Sequence, residues 1–137
     1  MRRYRLATLL VALPLLAGCT TNVATATTPG VPAGLDADQS LLNGLPLAAW
    51  LDDDRATLAV VTFGSSSCPP VPTSIGRTDD ATIAISFVRS PNTPCTADLA
   101  ATTHEFATPD GIAPEGDVTA ELRFENDQVY TVQVQGR

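Results

Sequence analysis

The chain has 137 residues, with eight basic residues, all arginine, against fifteen acidic ones and a formal charge of −7. That length limits it to one small domain plus any targeting segment. The acidity excludes a nucleic-acid binder, which needs a cationic face for the phosphates.

Residues 1–18 have the layout of a secretory signal. Arg2, Arg3 and Arg5 form a cationic start, and the uncharged, leucine-rich run from Leu6 to Leu16 is too short for a stable membrane span. The segment ends in Leu16-Ala17-Gly18-Cys19, which resembles the bacterial lipobox. Small residues before the cleavage point let an extended backbone enter a signal peptidase, and a thiol is the nucleophile that takes the diacylglycerol. The resemblance implies that residues 1–18 are removed and that Cys19 carries the lipid. The competing possibility is an ordinary signal peptide with a chance cysteine. Arg2-Arg3 is not followed by the bulky apolar residue of a twin-arginine signal, because Arg5 stands there, so the general secretion route is expected. After removal of residues 1–18, five arginines face fifteen acidic residues, a formal charge of −10. Such a chain is repelled by anionic lipid. Its expected attachment to the outer face of the cell membrane is therefore the covalent lipid.

From Cys19 to Gly44 the chain is Thr-, Ala-, Pro- and Gly-rich with little bulk. This composition buries too little apolar surface to offset its ordering entropy. A flexible lipidated tether over 19–44 is expected, with a reach of roughly 25–30 Å. Asp38 to Asn43 can make one helical turn before Gly44 stops it.

Residues 45–137 have period two. Trp50 and Leu51 close a first strand at Asp52-Asp53-Asp54. Leu58 to Phe63 is apolar on both faces and is expected mid-sheet. Val71 to Arg77 contains Pro72 and Gly76, which suits an edge strand. Ile83, Ile85 and Phe87 alternate with small residues, and Thr102 to Ala107 supplies a further strand. Val118, Ala120, Leu122 and Phe124 alternate with charged or polar neighbours, as do Tyr130, Val132 and Val134. The polar Glu125-Asn126-Asp127-Gln128 between them predicts a hairpin. About seven short strands without an amphipathic helix predict an all-β domain, in economical form a two-sheet antiparallel immunoglobulin-like sandwich. The tryptophan expected between inter-sheet cysteines is missing, because Trp50 precedes both, and a small barrel is the alternative.

With Cys19 lipidated, Cys68 and Cys95 remain, and outside the membrane a lone pair is expected as a disulfide. A metal pair would need more ligands, but His104 is the only histidine and no CxxC spacing exists. Closing that loop stabilises a small domain by about 3–4 kcal/mol in the chain-entropy model. Thr62 to Pro72 followed by Pro94 to Leu99 resembles small actinobacterial lipoproteins of uncharacterised function. The resemblance implies a secreted, disulfide-containing β domain and no activity.

No residue pattern specifies catalysis or a cofactor. In Gly64-Ser65-Ser66-Ser67-Cys68 the last glycine of a nucleophile elbow is replaced by Cys68, and Pro69-Pro70 forbids the helix that should follow. Any triad would have to recruit His104, which sits beside Glu105 in a predicted strand and is expected half-buried and hydrogen-bonded. Asp52-Asp53-Asp54 lacks the alternating spacing and glycine of a calcium loop, so it and Asp79-Asp80 are expected as solvated turns. What remains is a non-enzymatic binding module of the cell envelope, taking an envelope protein or a small ligand. Its expected surface is Ser65, Ser66, Ser67, Pro69 and Pro70 on one loop with Pro91, Asn92 and Thr93 on the other, stiffened by proline and by the disulfide. The alternative is an inhibitor of, or an enzyme acting on, envelope proteins. As an inhibitor it would hold Cys68-Pro69-Pro70-Val71-Pro72 out as a rigid segment.

Overall fold

The alternation read from the sequence becomes eight strands in a computed structural model that describes residues 22–136. They are β1 (Ala26–Pro29), β2 (Leu47–Trp50), β3 (Thr57–Gly64), β4 (Val71–Asp79), β5 (Thr82–Val88), β6 (Ala100–Ala107), β7 (Thr119–Phe124) and β8 (Val129–Gln135). One short helix, α1 (Asp38–Asn43), ends at Gly44, whose φ of 64° is the left-handed C-cap conformation that glycine adopts without strain. The signal segment and Cys19 lie outside the described residues.

The fold is all-β, but it is not two facing sheets. The strands form one sheet in the order β1-β6-β3-β2-β8-β7-β5-β4, curled into a half-barrel. Nor is it purely antiparallel: β2 pairs with β8 and β5 with β7 in parallel. The β2–β8 pairing makes the two halves continuous, so their inward faces share one core. Leu58, Val60 and Phe106 from one half meet Ile83, Ile85, Phe87 and Leu122 from the other. Alternation specifies which face a residue takes but not which strands are neighbours, and for that reason sandwich and half-barrel are indistinguishable at that level.

The expected tether is corrected from Val23 onward. Ala26–Pro29 pairs antiparallel with β6, and Thr25 donates its N–H to the Glu105 carbonyl at 2.8 Å. Val23 donates to the carbonyl of Pro72 at 3.0 Å, which brings the two edges of the curled sheet together. β1 keeps an exposed face and is held by backbone hydrogen bonds to an existing edge. The entropy argument weighed only side-chain burial and omitted that source of stabilisation. The ordered domain therefore starts near residue 23 instead of 45.

Other expectations hold. The 125–128 segment closes the β7–β8 hairpin, with Asp127 in the left-handed region at φ 62° and Phe124 N–H bonded to the Gln128 carbonyl at 2.8 Å. β4 is an edge strand, with register shifts at Pro72/Ser74 and Arg77/Asp79. Asp52 Oδ1 accepts the Thr57 N–H at 3.0 Å, and those bonds from Thr57 hold its carboxyl below the usual range. β3 is buried on both faces, and on its neighbour β6 Thr103 Oγ1 donates to the Gly30 carbonyl at 2.6 Å. That contact marks where the chain leaves β1 to pass β6 and β3 on its way to β2.

His104 is more deeply placed than its strand pattern suggests. It shares the inward face with Phe106 and is fully buried. Thr62 Oγ1 lies 3.2 Å from Nε2, Thr27 Oγ1 lies 3.5 Å from Nδ1, and the Phe87 ring meets the imidazole edge-on at 5.4 Å. No carboxylate is among these neighbours, so burial alone pushes its pKa down to about 4. The folded state then holds neutral imidazole while the unfolded chain titrates near 6.5. Unfolding is thus favoured by protonation, and stability falls as pH drops from about 6.5 to about 4, by on the order of 3 kcal/mol. Denaturant titrations across that window should show this slope in the native protein and its loss in His104→Gln.

Candidate functional site

Strand direction decides which loops meet. β1, β3, β5 and β7 run toward one end of the half-barrel, and β2, β4, β6 and β8 start from it. The connections 30–46, 65–70, 89–99 and 125–128 therefore gather at that end, where Cys68 and Cys95 form a disulfide with a Cα–Cα distance of 5.4 Å. Both cysteines reach the same end, as expected.

The serine loop and the second loop are sewn together by more than the disulfide. Thr96 Oγ1 lies 2.9, 3.3 and 3.2 Å from the hydroxyls of Ser65, Ser66 and Ser67. The Thr96 N–H donates to Ser67 Oγ, the Ser66 N–H to Asp98 Oδ1 at 3.1 Å, and Asn92 Nδ2 to the Ser67 carbonyl at 2.9 Å. Asp98 also accepts from the Thr96 hydroxyl. Bonds from Thr96 and then Ser66 pull its carboxyl down to about 2, so it stays ionised as an acceptor.

Of the residues singled out in the sequence, Ser65, Ser66, Ser67 and Asn92 belong to this web. Pro91 and Thr93 lie in an exposed stretch running from Pro91 to Leu99, and Pro69 is half-buried. The serine hydroxyls are engaged with each other and with Thr96, while the two ring nitrogens of His104 face Thr62 and Thr27. The structure does not join them into a nucleophile–base pair. Cys68–Pro72 is not a protruding segment either: Val71 and Pro72 open β4, and Pro72 is fully buried. The continuously exposed stretch at this end is Pro91–Leu99.

Beside the web is a cavity of about 640 Å³, lined by Cys68, Pro70, Phe87, Val88, Arg89, Ser90, Phe124, Glu125, Asn126 and Gln128. A second, of about 220 Å³, shares Pro70, Phe124 and Gln128 with it and adds Gly44, Pro46, Thr62, Phe63 and Tyr130. Pro70 thus serves as a wall between cavities. An aromatic series runs from core to mouth: Phe87 stacks on Phe124 at 5.0 Å, and Phe124 meets Tyr130 edge-on at 5.7 Å. The cavity floor is braced where Glu125 N–H donates to the Phe87 carbonyl and Arg89 N–H to Glu125 Oε2, at 3.1 and 2.9 Å.

Exposed large apolar residues lie at this end too. Among the described residues they are Leu41, Leu42, Leu45, Leu99 and Val129. Leu99 and Val129 adjoin the starts of β6 and β8, and the three leucines lie on the 30–46 connection that leaves from and returns to this end. Leu42 is 76% exposed.

Sequence reasoning missed Thr96, Asp98, the α1 leucines and the 125–128 turn as parts of the site. A usable signal existed for the turn. Once strands β3, β5 and β7 are taken to run the same way, the turn after β7 must lie with the cysteine loops. Among the described residues no group of three or more His, Cys, Asp or Glu side chains is placed to hold a metal ion. No family model matches the chain, and comparison with curated proteins and with solved structures returns no match.

Removing the disulfide with Cys68→Ala and Cys95→Ala together is expected to lower unfolding free energy by about 3 kcal/mol in denaturant titration. Thr96→Val, which takes out the hydroxyl at the centre of the web, should cost about 1 kcal/mol and leave the disulfide intact by mass spectrometry.

Proposed function

We propose that this protein is a lipid-anchored, non-enzymatic binding module on the outer face of the cell membrane, and that the disulfide end is its recognition surface. The observation that carries the binding surface is that all five exposed large apolar side chains among the described residues lie at the disulfide end of a strongly acidic domain. Exposed apolar residues collected at one end, instead of scattered singly over the surface, are a mark of interaction sites. The hydrogen-bonded web supports it as well, because pre-ordered loops lose less entropy on binding.

The anchor rests on Leu16-Ala17-Gly18-Cys19. With Val23 already bonded to Pro72, at most four residue steps, about 14 Å of extended chain, separate a lipid on Cys19 from the sheet. The domain is held close to the bilayer, without the long reach that composition implies. A second reading, a protein inhibitor, draws on the uninterrupted exposure of Pro91–Leu99. An inhibitor of this kind would leave that loop uncut after prolonged incubation with its target protease.

Cys19→Ala should abolish labelling by a fatty-acid analogue, and the mature N-terminus by mass spectrometry should be residue 19. Any other N-terminus removes the anchor from this proposal. Leu42→Ser with Leu45→Ser should weaken capture of partners from the native envelope at least several-fold without lowering the melting temperature. Unchanged capture would move the surface elsewhere.

A further inference from the structure

Two opposite charges line the larger cavity without neutralising each other. Arg89 and Glu125 both face it, yet among the described residues the one ion pair is Arg123–Glu121. The Arg89 guanidinium has no hydrogen-bond partner there, although its own backbone N–H is bonded to Glu125 Oε2. One Glu125 oxygen is therefore spoken for and the other is free. The carboxylate is held in place while the guanidinium, on a flexible stem, stands apart. The rest of the lining is mixed: Pro70, Val88 and Phe124 supply apolar wall, and Ser90, Asn126 and Gln128 supply polar wall. Asn126 and Gln128 bond to each other through Nδ2 and Oε1 at 2.8 Å, which stiffens the polar rim.

We propose that this cavity binds a free α-amino acid with an apolar side chain, its carboxylate on Arg89, its ammonium on Glu125 and its side chain against Phe124 and Pro70. The assignment deepens the reading of the disulfide end as a recognition surface and rests on it. Charge complementarity selects the ligand. A plain anion would meet the Glu125 carboxylate and a plain cation the Arg89 guanidinium, whereas a zwitterion satisfies both. Arg suits the carboxylate because its planar fork matches the two oxygens. The volume of about 640 Å³ lies within the range of small-molecule sites, which occur in the mouths of β-barrels with apolar walls and a few orienting polar groups.

The test uses the purified full-length protein and three probes: phenylalanine, N-acetylphenylalanine, which lacks the ammonium, and phenylalaninamide, which lacks the carboxylate. Nuclear magnetic resonance titration should show phenylalanine shifting the amides of Val88, Phe124 and Gln128. Each blocked derivative should bind about two- to five-fold more weakly, the scale of one solvent-exposed charge contact. Arg89→Gln should abolish the preference over the amide, and Glu125→Gln the preference over the acetyl derivative. No shift at these residues with phenylalanine at millimolar concentration overturns the proposal, as does equal binding of all three probes. If that happens while Leu42→Ser with Leu45→Ser still weakens envelope capture, the recognition surface stands and only the amino-acid ligand falls. Loss of both results removes the surface itself.

Discussion

The parallel pairing of β2 with β8 is the joint on which this molecule depends. It consists of two register pairs, Ala48 with Val134 and Ala49 with Gln135. On one side of it lie β1, β6 and β3, and on the other β7, β5 and β4. Without the joint, the same strands with the same inward faces would be two sheets packed face to face. With it, they are one sheet wrapped around a shared interior. All four residues of β2, Leu47 to Trp50, are buried, as a strand in the middle of a wrapped sheet requires. The joint is short, and the apolar cluster that spans both halves is what keeps it closed.

A wrapped sheet has two ends, and the connectivity here sorts the chemistry between them. Every strand that runs toward the disulfide end delivers a loop there. The disulfide end carries the web of hydroxyls around Thr96, the cavities and the exposed leucines. The aromatic series ties this end to the core, since Phe87 touches both His104 deep inside and Phe124 at the mouth. A change in the mouth is thus one ring away from the buried imidazole, whose two neighbours Thr62 and Thr27 sit on β3 and β1. The polar site in the core and the polar rim of the cavity are separated by apolar rings, which lets each keep its own hydrogen bonds.

How much of this was legible in the sequence can be followed through single residues. Period-two runs located β5, β7 and β8 to within a few residues, because alternation is a local property of a pleated strand with one buried face, and β3 was found from its apolar run on both faces. Gly44 marked the end of α1 because a left-handed C-cap is also local. The disulfide followed from counting thiols outside the membrane. What could not be read was neighbourhood. Nothing in Ala48-Ala49 announces that it pairs with Val134-Gln135 eighty-odd positions later, and nothing in Ala26-Thr27-Thr28 announces an edge strand. β1 is stabilised by backbone groups, which every residue but proline carries in full, so composition is blind to it. The site suffered the same way. Ser65 to Ser67 and Asn92 were found because they flank the cysteines, while Arg89 and Glu125 owe their meeting to the parallel β5–β7 pair.

The acidity of the chain acquires a physical meaning once the two ends are distinguished. Asp52 to Asp54, Asp79, Asp80, Asp110, Glu115 and Asp117 lie at the end away from the disulfide, while Asp36, Asp38, Asp98, Glu125 and Asp127 lie at the disulfide end. Like charges crowded on one end repel one another and cost folding stability, and the turns there spread them into solvent. Net charge of this size also opposes self-association, which exposed leucines would otherwise promote. An apolar mouth of this kind aggregates when carried by a neutral domain. On a domain with this net charge, spread over both ends, it stays dispersed and can remain open for a ligand.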